Sequence, residues 1–362
     1  MARIVYGVHG TGRGHAVRAL TLAQHAPSHD FLFFSHGEAA RLLGKQFEVI
    51  ECPNPVTPVR AHRVDSISAI VQSALTLAQS RSWSSKVQRA MERFGPDVAI
   101  TDYEFFVPRV ARKIGVPCLS FDNQHAITMG RIDCPIQQTP SRLATSFAIK
   151  CLFSGADQYL VSNFFEVPLR TAGDKVRWAR PLLRREVLQL SSEQGPHVVA
   201  YQGYPTFPGF FDTLAGLDRP VHVYGQGSKP PDRRVSFHDF DERLFLNDLA
   251  TCAFVACGGG HTLISEALYL GKPVLSIPVS GAFEQFINGF YLSRCGYGEQ
   301  TSIEGFSINM LRYFEKNLDA YRANICEARF TGNEATLADI NDFISGRWRP
   351  PEDRKSTRLN SS

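Results

Sequence analysis

The chain has 362 residues, long enough for two domains with separate cores. Hydrophobic residues make up 43% and charged residues 20%, which fits a globular protein and excludes a disordered or fibrous one. The formal net charge of +4 falls to +1 once the three cations of residues 354–362 are set aside, too little for a nucleic-acid footprint.

Those last residues, Arg354-Lys355-Ser356-Thr357-Arg358 onward, resemble translated adapter read-through. They are expected to be non-native, and the tail 347–362 is left out of the fold. No apolar run approaches the roughly 20 residues that span a bilayer, and no signal-peptide pattern precedes the first strand. The eight cysteines include no C-x-x-C pair. Zinc and redox frameworks are therefore not expected, and a reducing cytoplasm is the default compartment.

In chain order, short apolar runs at 3–8, 30–34, 47–50, 98–101, 118–121 and 158–161 read as buried strands. Helical patterns fall between them, the longest over 65–94, after the turn-rich 53–58. The alternation restarts at 197–201 and continues through 221–224, 235–237, 253–256 and 274–277. Alternation of this kind predicts α/β architecture, two doubly wound Rossmann-like domains with parallel sheets. The boundaries expected are 1–180 and 197–346, joined by a linker over 181–196 that holds Pro181 and a polar run. Ligands of such folds bind in the cleft outside the carboxyl ends of the strands.

The first strand runs into Gly10-Thr11-Gly12-Arg13-Gly14-His15 and then a helix. Gly12 and Gly14 let the backbone approach an anion at a helix N-terminus. The spacing is not G-x-G-x-x-G, and the second strand ends without the acid that would hold a ribose, so a nicotinamide cofactor is not expected. His15, at the cleft mouth, is a candidate general base. Asp102, at the carboxyl end of its strand, is the candidate that orients it. Asn123 and His125 follow the next strand and are candidates for the acceptor side.

The most informative stretch runs from Gly258-Gly259-Gly260-His261-Thr262 through Ser265-Glu266-Ala267-Leu268 to Gly271-Lys272-Pro273, then Glu284-Gln285. Glycines between strand and helix offer N–H groups to a diphosphate. Glu266 lies one helical turn after Thr262, where its carboxylate could accept the protons of ribose hydroxyls.

These motifs resemble the GT-B glycosyltransferases related to families 1 and 28, which include the UDP-glycosyltransferases and the N-acetylglucosamine transferase of peptidoglycan synthesis. A little-characterised bacterial and archaeal branch with G-x-G-x-G-H and G-G-G-H…S-E-A-L-x-L-G-K-P is most similar. The resemblance covers roughly Arg3 to Ile344. It implies that Gly259, Gly260, His261 and Thr262 contact the donor diphosphate and Glu266 its ribose. It further implies that Glu284 and Gln285 hold donor-sugar hydroxyls, that 238–241 meets the base, and that His15 and Asp102 form the base pair. The first loop of the second domain, 201–207, departs from the family pattern, as does the absence of the plant-type H-C-G-W-N-S string.

The function expected is transfer of a sugar from a nucleotide-diphosphate sugar, a UDP-sugar, to an acceptor hydroxyl, with inversion and with neither metal nor cofactor. The acceptor is unassigned; a lipid-linked one, with peripheral membrane contact near the basic 177–185, is one reading, a solvated basic turn the other. The pair Asp239 and Asp241 is the one D-x-D and is assigned to the base-side loop. Rival readings are a UDP-N-acetylglucosamine 2-epimerase-like isomerase and a non-catalytic nucleotide-sugar binder. Oligomeric state is not legible.

Overall fold

The computed structural model describes residues 1–170, 175–203, 207, 209–325 and 330–348. Residues 204–206 of the second-domain first loop and the tail 354–362 lie outside the described residues.

Among the described residues the strands are β1 (Arg3–Val8), β2 (Asp30–Ser35), β3 (Glu48–Glu51), β4 (Val59–Arg60), β5 (Arg63–Val64), β6 (Val98–Asp102), β7 (Cys118–Asp122), β8 (Gln158–Ser162) and β9 (Val176–Ala179) in the first half. The second half holds β10 (Val198–Tyr201), β11 (Val221–Tyr224), β12 (Val235–Phe237), β13 (Phe254–Cys257), β14 (Val274–Ser276) and β15 (Gly298–Gln300). One sheet runs β3-β2-β1-β6-β7-β8-β9 and the other β12-β11-β10-β13-β14-β15, and every pairing in both is parallel. Apolar residues such as Ile4, Val5 and Tyr6 are buried on both faces, as parallel sheets covered by helices require.

Strand order reverses between β1 and β6 in the first sheet and between β10 and β13 in the second. At these switch points the helices on either side diverge and open a crevice. The predicted 65–94 helix is two helices, Ser66–Ala78 and Ser80–Phe94, broken at Gln79, with Asp65 capping the first by accepting from Ser68 N–H.

Two edge strands, β9 and β15, have no counterpart in the sequence reading. β9 corrects the solvated basic turn expected there. Arg177 pairs with Asp339 at 2.5 Å and lies 4.0 Å over the Trp348 ring, while Trp178 joins the core. Asp339 belongs to the helix Asn333–Ile344, whose Ile340 and Phe343 pack in one cluster with Ile4 and Tyr6 of β1. The last described helix thus lies on the first sheet's domain.

Candidate functional site

Two helix N-termini converge on one cleft. The helix Arg13–His25 follows β1 with Gly12 at its N-cap, and His261–Tyr269 follows β13 with Gly260 there. Neither cap residue supplies a side-chain hydrogen bond, and neither first turn holds an acid. The first four N–H groups of a helix lack intrahelical partners, so each end presents free donors and positive dipole. The two ends touch: the Thr262 hydroxyl donates to Gly14 O at 3.3 Å. A Cβ on Gly14 would stand 2.9 Å from that hydroxyl oxygen, so glycine sets the approach. Like dipole ends repel at this range, and an anion seated between them reverses the sign.

The cleft has a volume of about 290 Å³. All the sequence-predicted site residues line it except Asp102, Gly259 and His125. Gly259 turns inward with φ 89°, and its carbonyl accepts from Asn288 Nδ2 at 3.0 Å, leaving Gly258 and Gly260 at the surface of the cleft. His125 is buried beneath, bonded through Nδ1 to Asp122 at 2.7 Å. Burial would raise the Asp122 carboxyl, yet the His125 charge and the bonds from His125 and Ser120 bring it down to about 2.

Asp102 stands behind His15. Its Oδ1 is 2.7 Å from His15 Nδ1, and it is fully buried. Arg18, one turn along the same helix, donates to both carboxylate oxygens, Nε to Oδ2 at 2.8 Å and Nη2 to Oδ1 at 2.7 Å. Burial would raise the Asp102 carboxyl, but the Arg18 and His15 charges outweigh it and hold it below the usual value. An ionised Asp102 only accepts, so Nδ1 carries the ring proton. The Nε2 lone pair then faces the cleft, 3.4 Å from the Gln124 amide nitrogen. Arg18 was not singled out from the sequence. Its position three residues after His15 puts both on one helix face, a signal that could have found it.

The turn after β6 is strained. Tyr103 adopts φ 57°, a left-handed conformation that L side chains avoid. Glu104 holds the turn by accepting from Phe106 and Val107 N–H at 2.8 and 2.6 Å. Complete burial pushes its carboxyl up to about 7 despite those bonds.

On the other wall, Glu284 Oε1 accepts from Asn123 Nδ2 at 2.8 Å and from Asn288 Nδ2 at 3.0 Å. Gln285 Oε1 accepts from Val279 N–H at 3.0 Å. Glu266 is not solvated: Arg184 Nε and Nη2 grip its two oxygens at 2.7 and 2.9 Å, and Arg184 also pairs with Glu242. Arg184 was read from the sequence as part of a basic turn and is instead a buried clamp lining the cleft. The His261 ring is buried and, with Arg18 and His15 nearby, is pushed down to about 3, so it is neutral. Gln124 Oε1, Gln202 Nε2 and His261 Nε2, all on cleft-lining residues, are buried without an intramolecular partner. Each such group costs roughly 1–3 kcal/mol unless water or a ligand satisfies it.

Residues 2–319 match the family model described as glycosyl transferase family 1. The chain belongs to that family. This glycosyltransferase is 26% identical over 336 residues to an uncharacterised glycosyltransferase of Methanosarcina acetivorans, covering 83% of this chain and 86% of that one. A Methanosarcina mazei glycosyltransferase is 24% identical over 331 residues with the same coverage. A shorter match, 27% over 146 residues, covers 37% of this chain and 40% of a Bacillus cereus UDP-N-acetylglucosamine–N-acetylmuramyl-(pentapeptide) pyrophosphoryl-undecaprenol N-acetylglucosamine transferase.

Among solved structures, the calicheamicin glycosyltransferase CalG4 superposes with TM-score 0.64 at 15% identity, over 96% of this chain and 99% of that one. Phytolacca americana UGT2, complexed with UDP-2fluoro-glucose and pterostilbene, superposes with TM-score 0.65 at 12% identity, over 95% and 100%. The glycosyltransferase VinC in complex with DTDP gives 0.63 at 14%, over 95% and 100%. The fold is GT-B, two Rossmann-like domains facing across a cleft. No described helix is long and apolar enough to cross a membrane.

Proposed function

We propose that this glycosyltransferase moves a sugar from a nucleotide-diphosphate sugar, a UDP-sugar, to an acceptor hydroxyl, with inversion and without a metal. The observation that carries the reading is the meeting of two uncapped helix N-termini, Gly12–Gly14 and Gly260–Thr262, beside the His15–Asp102 pair. The acceptor hydroxyl attacks the anomeric carbon and gives its proton to His15 Nε2, while Asp102 holds Nδ1–H and the ring orientation. The sugar–oxygen bond breaks with its electrons passing to the leaving diphosphate.

Backbone N–H groups at both helix ends receive the developing charge. Preorganised donors of this kind are worth roughly 3–4 kcal/mol each, enough for a pair to stand in for a metal ion. Glu266 takes the ribose through the acceptor capacity Arg184 leaves over, since a carboxylate offers about four lone-pair sites. Glu284 and Gln285 hold sugar hydroxyls. Asp239 accepts from Ser228 N–H and Asp241 from Leu244 N–H, so both acids of the D-x-D pair already have structural bonds. The ligands of the UGT2 and VinC structures, UDP-2fluoro-glucose and DTDP, support a nucleotide donor.

A thermal-shift panel of nucleotide sugars tests the donor class, because a ligand that binds only the folded state raises stability. Transfer run in excess chelator, with the product anomer read by NMR, tests the rest. No shift with any nucleotide sugar rejects the donor. Loss of transfer restored by manganese or magnesium rejects metal independence, and retained configuration rejects inversion.

A further inference from the structure

The β4–β5 hairpin reaches across from the first domain and pairs with the second. His62 Nε2 donates to Ile277 O at 3.0 Å, Ser280 N–H to His62 O at 3.0 Å, and Val64 N–H to Ser280 O at 2.9 Å. Arg63 and Ser280 thereby form a parallel bridge, a strand addition between domains on the smallest scale. Val64 also packs against Gly281, where a Cβ would stand 3.4 Å from the Val64 Cβ.

The tip of this hairpin is Ala61-His62, and both residues adopt positive φ, 46° and 60°. Two-residue hairpins of this geometry favour Asn-Gly, so two L side chains hold it here against their preference. Arg60, Ala61 and Arg63 are exposed, whereas His62 is fully buried. Its ring meets Ile277 and, edge-on at 5.4 Å, Phe207, both of the second domain. Burial holds its pKa below the ordinary value, so the ring is neutral at neutral pH. Its proton stays on Nε2, because the Ile277 carbonyl only accepts.

The segment it grips, 277–282, runs from β14 to the helix Phe283–Arg294 that carries Glu284 and Gln285. Within that segment Ala282 N–H bonds to Val279 O at 2.9 Å, with Gly281 left-handed at φ 84°. Val279 N–H donates to Gln285 Oε1 at 3.0 Å. Residue 279 therefore orients Gln285, and the hairpin holds residues 277 and 280 on either side of it. Further back, the same first-domain segment is anchored at Asn54. Its amide donates to Tyr103 O at 3.2 Å and accepts from Phe105 N–H at 3.1 Å, in the turn directly after Asp102. One strap thus ties the turn behind the proposed base to the loop that orients Gln285.

We propose that His62 is a positioning residue for the donor sugar. By pinning Ile277 and Ser280 it fixes the loop that orients Gln285, so the sugar half of the donor is gripped only with both domains engaged. The inference rests on the reading above that Gln285 holds hydroxyls of a nucleotide-bound sugar. His62 itself does not line the cleft. Among the described residues, the hairpin's hydrogen bonds to the second domain go to Ile277 and Ser280, not to the glycine turn 258–260 proposed for the diphosphate. The nucleotide half of the site is therefore outside its reach.

Calorimetry on the full chain with UDP, UDP-glucose and UDP-N-acetylglucosamine tests the proposal. His62→Ala should bind UDP as the unsubstituted chain does. It should bind the preferred nucleotide sugar on the order of tenfold more weakly, the worth of one hydrogen bond. Glutamine keeps an N–H donor near the place of Nε2, so His62→Gln should recover most of that loss. Val64→Pro removes the N–H that Ser280 accepts and should show the same sugar-selective loss, a second route should His62→Ala fold poorly. Equal weakening of UDP and nucleotide sugar in these variants would overturn the proposal, since a merely structural strap loosens both. Undiminished sugar binding in His62→Ala and Val64→Pro would overturn it as well, and would leave the donor reading standing. If the unsubstituted chain binds neither nucleotide sugar, the donor reading itself fails, and the positioning role falls with it.

Discussion

Asn123 spans the cleft: its amide nitrogen donates to Glu284 Oε1 at 2.8 Å while its amide oxygen accepts from Arg18 Nη1 at 3.3 Å. Arg18 in turn grips Asp102, and Asp102 holds His15. One continuous set of hydrogen bonds therefore links a donor-side carboxylate of the second domain to the proposed base of the first. Groups joined in this way respond together when one is removed.

The first prediction follows from that link. Asn123→Ala and Glu284→Ala should each slow turnover, and the double substitution should cost less than the sum. The coupling expected for neighbours in one network is about 0.5–3 kcal/mol. Steady-state kinetics on the four proteins measure it, and simple additivity would remove Asn123 from the link.

Asp102 and His15 should separate in stability even though they act together in turnover. Asp102→Asn leaves the buried Arg18 guanidinium without its carboxylate, and breaking a buried pair costs about 3–5 kcal/mol. His15→Ala leaves the Arg18–Asp102 pair whole and should unfold near the unsubstituted midpoint. The Asp102 carboxyl is held below its ordinary value, so its stabilisation is present above that ordinary value. It is lost as pH falls through the depressed folded value. Chemical denaturation of both variants near neutral pH checks this; equal midpoints would contradict the buried-pair account.

Glu266→Ala should raise the Michaelis constant for donor while leaving the turnover number nearly unchanged, because ribose contact is the same in ground and transition states. Arg184 keeps Glu242 as a partner in that variant, so the fold survives. Arg184→Ala should instead destabilise the protein, since it strands a buried carboxylate. An unchanged Michaelis constant for Glu266→Ala would take the ribose role from it.

Glu104 gives a pH signature of its own. Its folded value of about 7 exceeds the ordinary 4.5, so the folded state holds the proton more tightly. Its contribution is greatest below 4.5 and is lost as pH rises from there to about 7. The loss amounts to about 3 kcal/mol at most. Glu104→Gln is neutral at every pH and resembles the protonated side chain, so its stability relative to the unsubstituted chain should rise as pH goes from 4.5 to about 7. Denaturation across that range tests it, and a constant gap would mean Glu104 does not titrate there.

Much of this was legible in the residues. Runs such as 4–8 and 253–256 are apolar throughout, as strands covered on both faces must be, and their alternation with helices specified two parallel sheets. The glycine loops were legible because only glycine permits the approach of Gly14 to Thr262. β9 and β15 were not, because edge strands are half exposed and Val176–Ala179 and Gly298–Gln300 carry polar residues that mask the pattern. The carboxylate partners of Arg18 and Arg184 were hidden for a different reason. An arginine's sequence neighbours do not reveal a carboxylate 82 or 84 residues away, and only folding brings Glu266 and Asp102 to them.

The central claim is that His15 takes the acceptor proton, and His15→Ala tests it most directly. Turnover of the nucleotide sugar that stabilises the protein is measured against a panel of hydroxyl acceptors, and its nucleoside diphosphate is titrated by calorimetry. The account predicts turnover lowered by about 10²–10⁴-fold with nucleotide affinity nearly intact. Near-normal turnover would contradict it outright. Loss of nucleotide binding would make His15 a diphosphate ligand and leave the proton transfer without support.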